Sequence, residues 1–480
     1  MGSSISTPWR KLSGEKNWEG LLQPLDHDLR KYLIHYAQMT GAVGDLFNSE
    51  TDEPDATKED FFSKACLVKG NPYEYEVTRF IYAGTDFVEP SWFAYVVVAT
   101  DEGKRALGRR DVLVAWRGTS AIKEWLNDFN FIIQRNASDI FPTAKQHDAN
   151  VHRGFHDLYT GTRPDSPRTK TSAREQVLDA VKELVNKYED EELSITVTGF
   201  SLGAALATLT AMDIVANGYN KPTAGRHPDK SFMVTAITFG GPRVGNIGLA
   251  NLFDSLRDHL HLLRVKNNSD SVPTLPPDWL HLPYTDFGIK LNVDTYNSNY
   301  LKWKGPFGSY AAFPYKHEDE LNGDECEPNR KRSRRGIDSL DEVEPKIKPV
   351  TRGFITGLYS CHNMDVYAHG VAIKDIGEKT PVEKLDHDLA LVNKYLDRVS
   401  DEYSIPSDWW AGDNRKRLVQ LDNGRWKAIA MGFGVSLLSH LSEFQAPITS
   451  WPEFGVFLAE SCVRVSDLEY ILARVWCFPS

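Results

Sequence analysis

The sequence predicts an α/β chain: a central, mostly parallel sheet with helices on its faces. Three observations carry that prediction. Strand-like apolar runs at 94–99, 112–116, 234–239 and 261–266 alternate with segments of helical spacing. Residues 193–217 read LSITVTGFSLGAALATLTAMDIVAN, in which the β-branched run Ile195-Thr196-Val197-Thr198 leads through Gly199-Phe200-Ser201-Leu202-Gly203 into a long Ala/Leu segment. That is strand, sharp turn and helix, with a serine at the apex. The chain is 480 residues long and 41% hydrophobic, enough to bury one large core.

Each element follows from local pattern. Residues 26–40 place Leu29, Tyr32, Leu33 and Tyr36 at helical spacing, so they form an N-terminal helix packed on the core. The polar stretch 48–58 is a loop. The strands at 94–99 and 112–116 are joined by DEGKRALGRR, which its charges mark as a turn. In 174–188, Val177, Leu178, Val181, Leu184, Val185 and Tyr188 share one face of an amphipathic helix that delivers the chain to the serine-bearing strand. Active groups in such a sheet belong at the carboxyl ends of the strands.

Composition narrows the function. A net charge of -11 opposes general nucleic-acid binding, which needs a basic face. The five cysteines are scattered and contain no C-x-x-C pair, so neither a zinc site nor a disulfide framework is indicated, and a reducing compartment fits. The first 20 residues lack an apolar signal core, and no apolar run is long enough to span a bilayer. These features predict a soluble, cytoplasmic protein. Met1-Gly2-Ser3-Ser4-Ile5-Ser6 matches the N-myristoylation pattern, which would add weak peripheral membrane attachment. Residues 317–350, with the run Arg330-Lys331-Arg332-Ser333-Arg334-Arg335, read as a mobile basic surface insertion, and 428–480 as an apolar C-terminal extension to a domain spanning 1–427.

The G-x-S-x-G turn in its strand–turn–helix setting presents Ser201 as a nucleophile. Its glycines permit close strand–helix approach, and the helix N-terminus offers N–H groups to a developing oxyanion. A serine hydroxyl needs a histidine to take its proton and an acid to orient that histidine. With this turn, the acid and the histidine follow the serine in chain order. Asp270, just past the strand that ends near Lys266, is the acid candidate ahead of Asp254, Asp258, Asp286 and Asp294. His362 and His369 are the histidine candidates, while His259, His261 and His281 read as structural. The backbone N–H groups of Thr119, in a loop after another core strand, and of Leu202 are the candidate oxyanion donors.

Further strings carry a resemblance. They include Thr7-Pro8-Trp9-Arg10, Asn17-Trp18-Glu19-Gly20, Ala115-Trp116-Arg117-Gly118-Thr119 and Val151-His152-Arg153-Gly154-Phe155. Thr238-Phe239-Gly240-Gly241-Pro242-Arg243, the Asp270 motif, His362-Asn363 through His369-Gly370, and Ile405-Pro406 with Trp409-Trp410 complete the set. From the N-terminus to about Trp426 the chain resembles the type II plant phospholipases A1 of the class 3 lipase family. The resemblance implies an α/β-hydrolase fold, a triad of Ser201, Asp270 and His362, and a lid over 120–131 whose apolar face is Trp125, Leu126 and Phe129. It implies hydrolysis of the sn-1 acyl ester of glycerophospholipids at a transiently engaged membrane surface, with no cofactor or metal. Galactolipid or acylglycerol hydrolysis, acyl transfer to an alcohol, and a non-catalytic lipase-like signalling scaffold are the alternatives. Phe200 stands where the family carries histidine.

Overall fold

The computed structural model describes residues 8–86, 88–119, 134–223, 227, 229–276, 282–302, 361–377, 380–410 and 412–429. Its centre is a seven-stranded sheet. In chain order the strands are β1 (Tyr75–Ala83), β2 (Ser91–Ala99), β3 (Arg110–Trp116), β4 (Leu193–Phe200), β5 (Met233–Phe239), β6 (Leu260–Asn267) and β7 (Ile289–Val293). Their spatial order is β7-β6-β5-β4-β3-β2-β1. β3 to β7 run parallel, whereas β2 is antiparallel to both β1 and β3.

The central strands are apolar because both of their faces are covered. Every residue of β2 and β3 is buried. Along β3 the pleat sends Val112, Val114 and Trp116 into one core and Leu113 and Ala115 into the other. The first core is closed by α2 (Arg153–Thr160), α3 (Ala173–Lys187), α4 (Leu202–Ala216) and α5 (Ile247–Asp254). The second is closed by α1 (His27–Asp45) and α6 (Met364–Ile373). α4 packs on β4 and β5 and buries its residues from Leu202 to Ile214, which explains an Ala/Leu sequence with no polar face.

The helix boundaries follow their caps. Asp26 precedes α1 and its carboxylate accepts from the N–H groups of Asp28 and Leu29, one residue inside the expected start. Ser172 and Glu175 form a capping box on α3. The segment 101–110, expected to be a turn, instead holds a helix over Asp101–Leu107. Thr100 caps it, Asp101 and Glu102 favour its N-terminus, and Gly108 ends it at φ 76°. β1 and β7 were not anticipated. Both lie at sheet edges, where partly solvated polar residues break the apolar pattern.

The expected lid, with Trp125, Leu126 and Phe129, lies outside the described residues, as do the 317–350 insertion and 430–480. By internal contacts the chain divides into a unit over Met1–Ala428 and a second over Ile429–Ser480. No helix among the described residues is long and apolar enough to cross a membrane.

Candidate active site

The site is built at the carboxyl ends of β3, β4, β5 and β6. Trp116 pairs with Gly199 and Phe200 with Phe239, so the chain leaves three neighbouring strands at one level. Ser201 follows β4 directly, at φ 58° and ψ -123°, a conformation that side chains rarely adopt. It persists because the turn is held from both sides: Ser201 N–H donates to the Phe239 carbonyl at 3.0 Å, and α4 begins at the next residue. A Cβ at Gly199 would stand 2.1 Å from the Gly203 carbonyl oxygen, and one at Gly203 2.4 Å from that of Arg117. Only glycine fits at either position.

Asp270 comes three residues after β6 and is buried. Its Oδ2 bonds His362 Nδ1 at 2.6 Å, and its Oδ1 accepts from the Val272 N–H at 2.9 Å. His362 lies just before α6, whose N-cap is Asn363. The Asn363 carboxamide oxygen accepts from the Asp365 and Val366 N–H groups at 2.9 and 3.1 Å, fixing the helix start beside the imidazole. The Asn267 side chain donates to Thr295 Oγ1 at 2.8 Å and to the Cys361 carbonyl at 3.5 Å, tying the end of β6 to the residue before His362.

His362 also reaches the β4 and β5 ends. Its ring centroid is 4.5 Å from that of Phe200, at 31°. A Cβ on Gly240 would lie 3.2 Å from its Cε1. Two atoms in this neighbourhood, Ser201 Oγ and His362 Nε2, are buried and have no hydrogen-bond partner among the described residues. A base with its second nitrogen on a carboxylate and its first nitrogen open can take a proton and hold the resulting charge.

His369, the rival histidine, does not share this arrangement. Its Nε2 meets Ser298 Oγ at 2.9 Å, and complete burial pushes its imidazole down to about 3. It is a neutral core group. His261 packs edge-on against Trp18, and burial lowers it to about 4. The competing acids are engaged elsewhere: Asp286 with Arg264, Asp254 with Arg257, and Asp294 with the Tyr296 N–H. No cluster of three or more metal-ligating side chains occurs among the described residues.

Leu202 directly follows the nucleophile, and Thr119 follows Gly118, which borders the turn. Leu202 is the first residue of α4, where the backbone N–H has no acceptor within its own helix. Gly118, beside Thr119, is so close to the turn that a Cβ on it would lie 3.2 Å from Ser201 Cβ.

Tyr367 went unrecognised in the sequence. Its hydroxyl donates to Asp270 Oδ2 at 2.6 Å, on the oxygen that His362 uses. Burial, reinforced by the adjacent carboxylate, raises this phenol well above its ordinary range, so it remains a donor. The signal lay inside the histidine segment itself: a tyrosine placed by α6 over the same strand ends.

The family model described as Lipase (class 3) matches residues 113–279. Phospholipase A1-IIgamma of Arabidopsis thaliana is 37% identical over 446 residues, covering 88% of this chain and 92% of that protein. Phospholipase A1-II 6 of Oryza sativa subsp. japonica is 38% identical over 453 residues, covering 89% and 95%. Among solved structures, Rhizomucor miehei triacylglyceride lipase covers 55% of this chain and 79% of its own at 20% identity, with a TM-score of 0.38. Near-complete coverage by relatives of this kind means that the chain belongs to the class 3 lipase family, in its plant phospholipase A1-II group.

Proposed function

We propose that the chain is a phospholipase A1 that hydrolyses the sn-1 acyl ester of glycerophospholipids, with Ser201 as nucleophile, His362 as base and Asp270 as its orienting acid. The observation that carries this is the 2.6 Å bond from His362 to Asp270, on an imidazole whose Nε2 is open beside the strained Ser201 turn. Ser201 Oγ attacks the ester carbonyl as its proton passes to His362 Nε2. The N–H groups of Thr119 and Leu202 stabilise the oxyanion. The imidazolium returns the proton to the leaving alcohol oxygen of the lysophospholipid. Water, deprotonated by His362, then attacks the acyl-serine and releases the fatty acid. The acyl chains reside in lipid aggregates, so the reaction requires transient contact with a lipid surface.

Incubation of the full chain with a mixed plant lipid extract, read by mass spectrometry, tests the substrate class. The expected products are free fatty acids and 2-acyl lysophospholipids. Release from galactolipids or neutral acylglycerols alone would replace the phospholipid assignment. Ser201→Ala is expected to lower turnover by at least about 10³-fold and to abolish labelling by a fluorophosphonate. A folded Ser201→Ala protein with near-normal turnover would end the nucleophile assignment.

A further inference from the structure

Arg117 is a buried cation that the mechanism above leaves unused. It follows β3, one residue before Gly118 and two before Thr119. Its guanidinium is held on every side. Nε donates to the Trp92 carbonyl at 2.6 Å, one terminal nitrogen donates to Ser91 Oγ at 3.1 Å, and the Phe47 and Phe93 rings lie 3.8 and 4.1 Å away. The other terminal nitrogen donates to the Gly118 carbonyl at 3.1 Å. Desolvation lowers the guanidinium only to about 10, with Asp52 opposing the shift, so it stays charged at neutral pH.

The Gly118 carbonyl and the Thr119 N–H belong to one peptide unit. In a trans peptide they point in opposite directions. Anchoring the carbonyl therefore fixes the heading of the N–H. The anchor matters because glycine lets this peptide rotate more freely than any other residue would. A cation donating to the carbonyl also polarises the amide and strengthens its N–H as a donor. The unit stands against the nucleophile, as the 3.2 Å approach of a Gly118 Cβ to Ser201 Cβ shows.

We propose that Arg117 is the positioning residue of the oxyanion site, holding the Gly118–Thr119 peptide so that the Thr119 N–H receives the charge that develops on the ester oxygen. This rests on the Ser201 acyl-transfer reading above. Its action is confined to the transition state: it aims a donor at charge that the ground-state ester does not yet carry.

The test uses the full chain, a water-soluble short-chain p-nitrophenyl ester and an alkyl boronic acid, which becomes a tetrahedral anion on a reactive serine. Arg117→Met keeps an apolar stem between Phe47 and Phe93 and removes the donors. It is expected to lower kcat by about 10- to 100-fold, with KM within about twofold and boronate affinity reduced in parallel with kcat. Arg117→Lys, which restores charge without the planar fork, is expected to recover part of both losses. Ser91→Ala removes only one holder of the guanidinium and is expected to lower both quantities severalfold, which provides the readout should Arg117→Met not accumulate as folded protein. Wild-type kcat and boronate affinity in a folded Arg117→Met protein would overturn the proposal. So would a fall in kcat with boronate affinity unchanged. Failure of the underlying reading looks different: Ser201→Ala would keep its activity, or the wild-type chain would not bind the boronate.

Discussion

What marks Ser201 among the described serines is a combination of surroundings: a positive φ, a helix starting at the next residue and an imidazole ring packed on its neighbour Phe200. Tyr367 shows how far residue-level reasoning extends. Asp270 Oδ2 receives two 2.6 Å bonds, one from His362 and one from Tyr367. The phenol shares the carboxylate and restrains its rotation. Tyr367→Phe removes one hydrogen bond to a charged group, worth about 1.5–3 kcal/mol. Part of that is expected to appear as a roughly tenfold fall in kcat with little change in KM, because the loss acts through His362 and not through lipid contact. Steady-state kinetics on a soluble ester measure both. Chain order left His362 and His369 both open and only the family resemblance chose between them, whereas Ser201 and Asp270 were legible because a turn motif and a strand-end loop restrict each choice. Tyr367 and Arg117 were not, because their roles depend on which atom they meet across the fold.

At the scale of elements, the segment around 101–111 is the instructive case. Its charges suggested a solvated turn. Arg109 and Asp111 are instead wholly buried between α1 and the amino-terminal ends of the central strands. Asp111 Oδ1 accepts from Ser194 and Thr196 at 2.6 and 2.8 Å, and Oδ2 from Tyr36 and Tyr75 at 2.8 Å each. Arg109 stands 3.7 Å away and donates to Ser194 Oγ and to the Tyr36 hydroxyl at 2.8 and 2.9 Å. This network joins α1, β1, β3 and β4 at the end of the sheet opposite the nucleophile. Asp111→Ala would strand the arginine charge and leave several donors unsatisfied. It is expected to destabilise the protein by about 3–5 kcal/mol, measured as a lowered midpoint in urea unfolding. The signals of the helix over Asp101–Leu107 are present in the sequence, Thr100 at one end and Gly108 at the other, but the density of charge between them is equally that of a turn.

The whole molecule responds to pH through histidines that folding hides. His369 is neutral and buried, displaced to about 3 by desolvation, while an unfolded histidine titrates near 6.5. Below pH 6.5 the unfolded chain binds a proton at this position that the native chain refuses. Stability is therefore lost as pH falls from 6.5 toward 3, by about 1.4 kcal/mol per pH unit for this residue. His369→Gln keeps a partner for Ser298 and cannot titrate. Relative to the wild type, the variant is expected to gain about 2 kcal/mol on going from pH 7 to pH 5. Paired denaturant melts at the two pH values read this difference, in which contributions common to both proteins cancel.

By itself, the order of residues along the chain determined the alternation of strands and helices and the serine at the end of β4, and it narrowed the acid and the histidine to a few candidates that follow it. These are local matters: periodicity follows from burial of one face, and the turn follows from glycines flanking one serine. Only the tertiary structure decided which carboxylate meets His362, that His369 belongs to the core, that charged residues near 110 form an internal network, and that Arg117 holds the Gly118 carbonyl. Each of these depends on contacts between segments far apart in sequence, or on the direction of a single backbone peptide. Hydrophobic patterning is indifferent to both, because it records how much surface a segment buries and not which atom it faces.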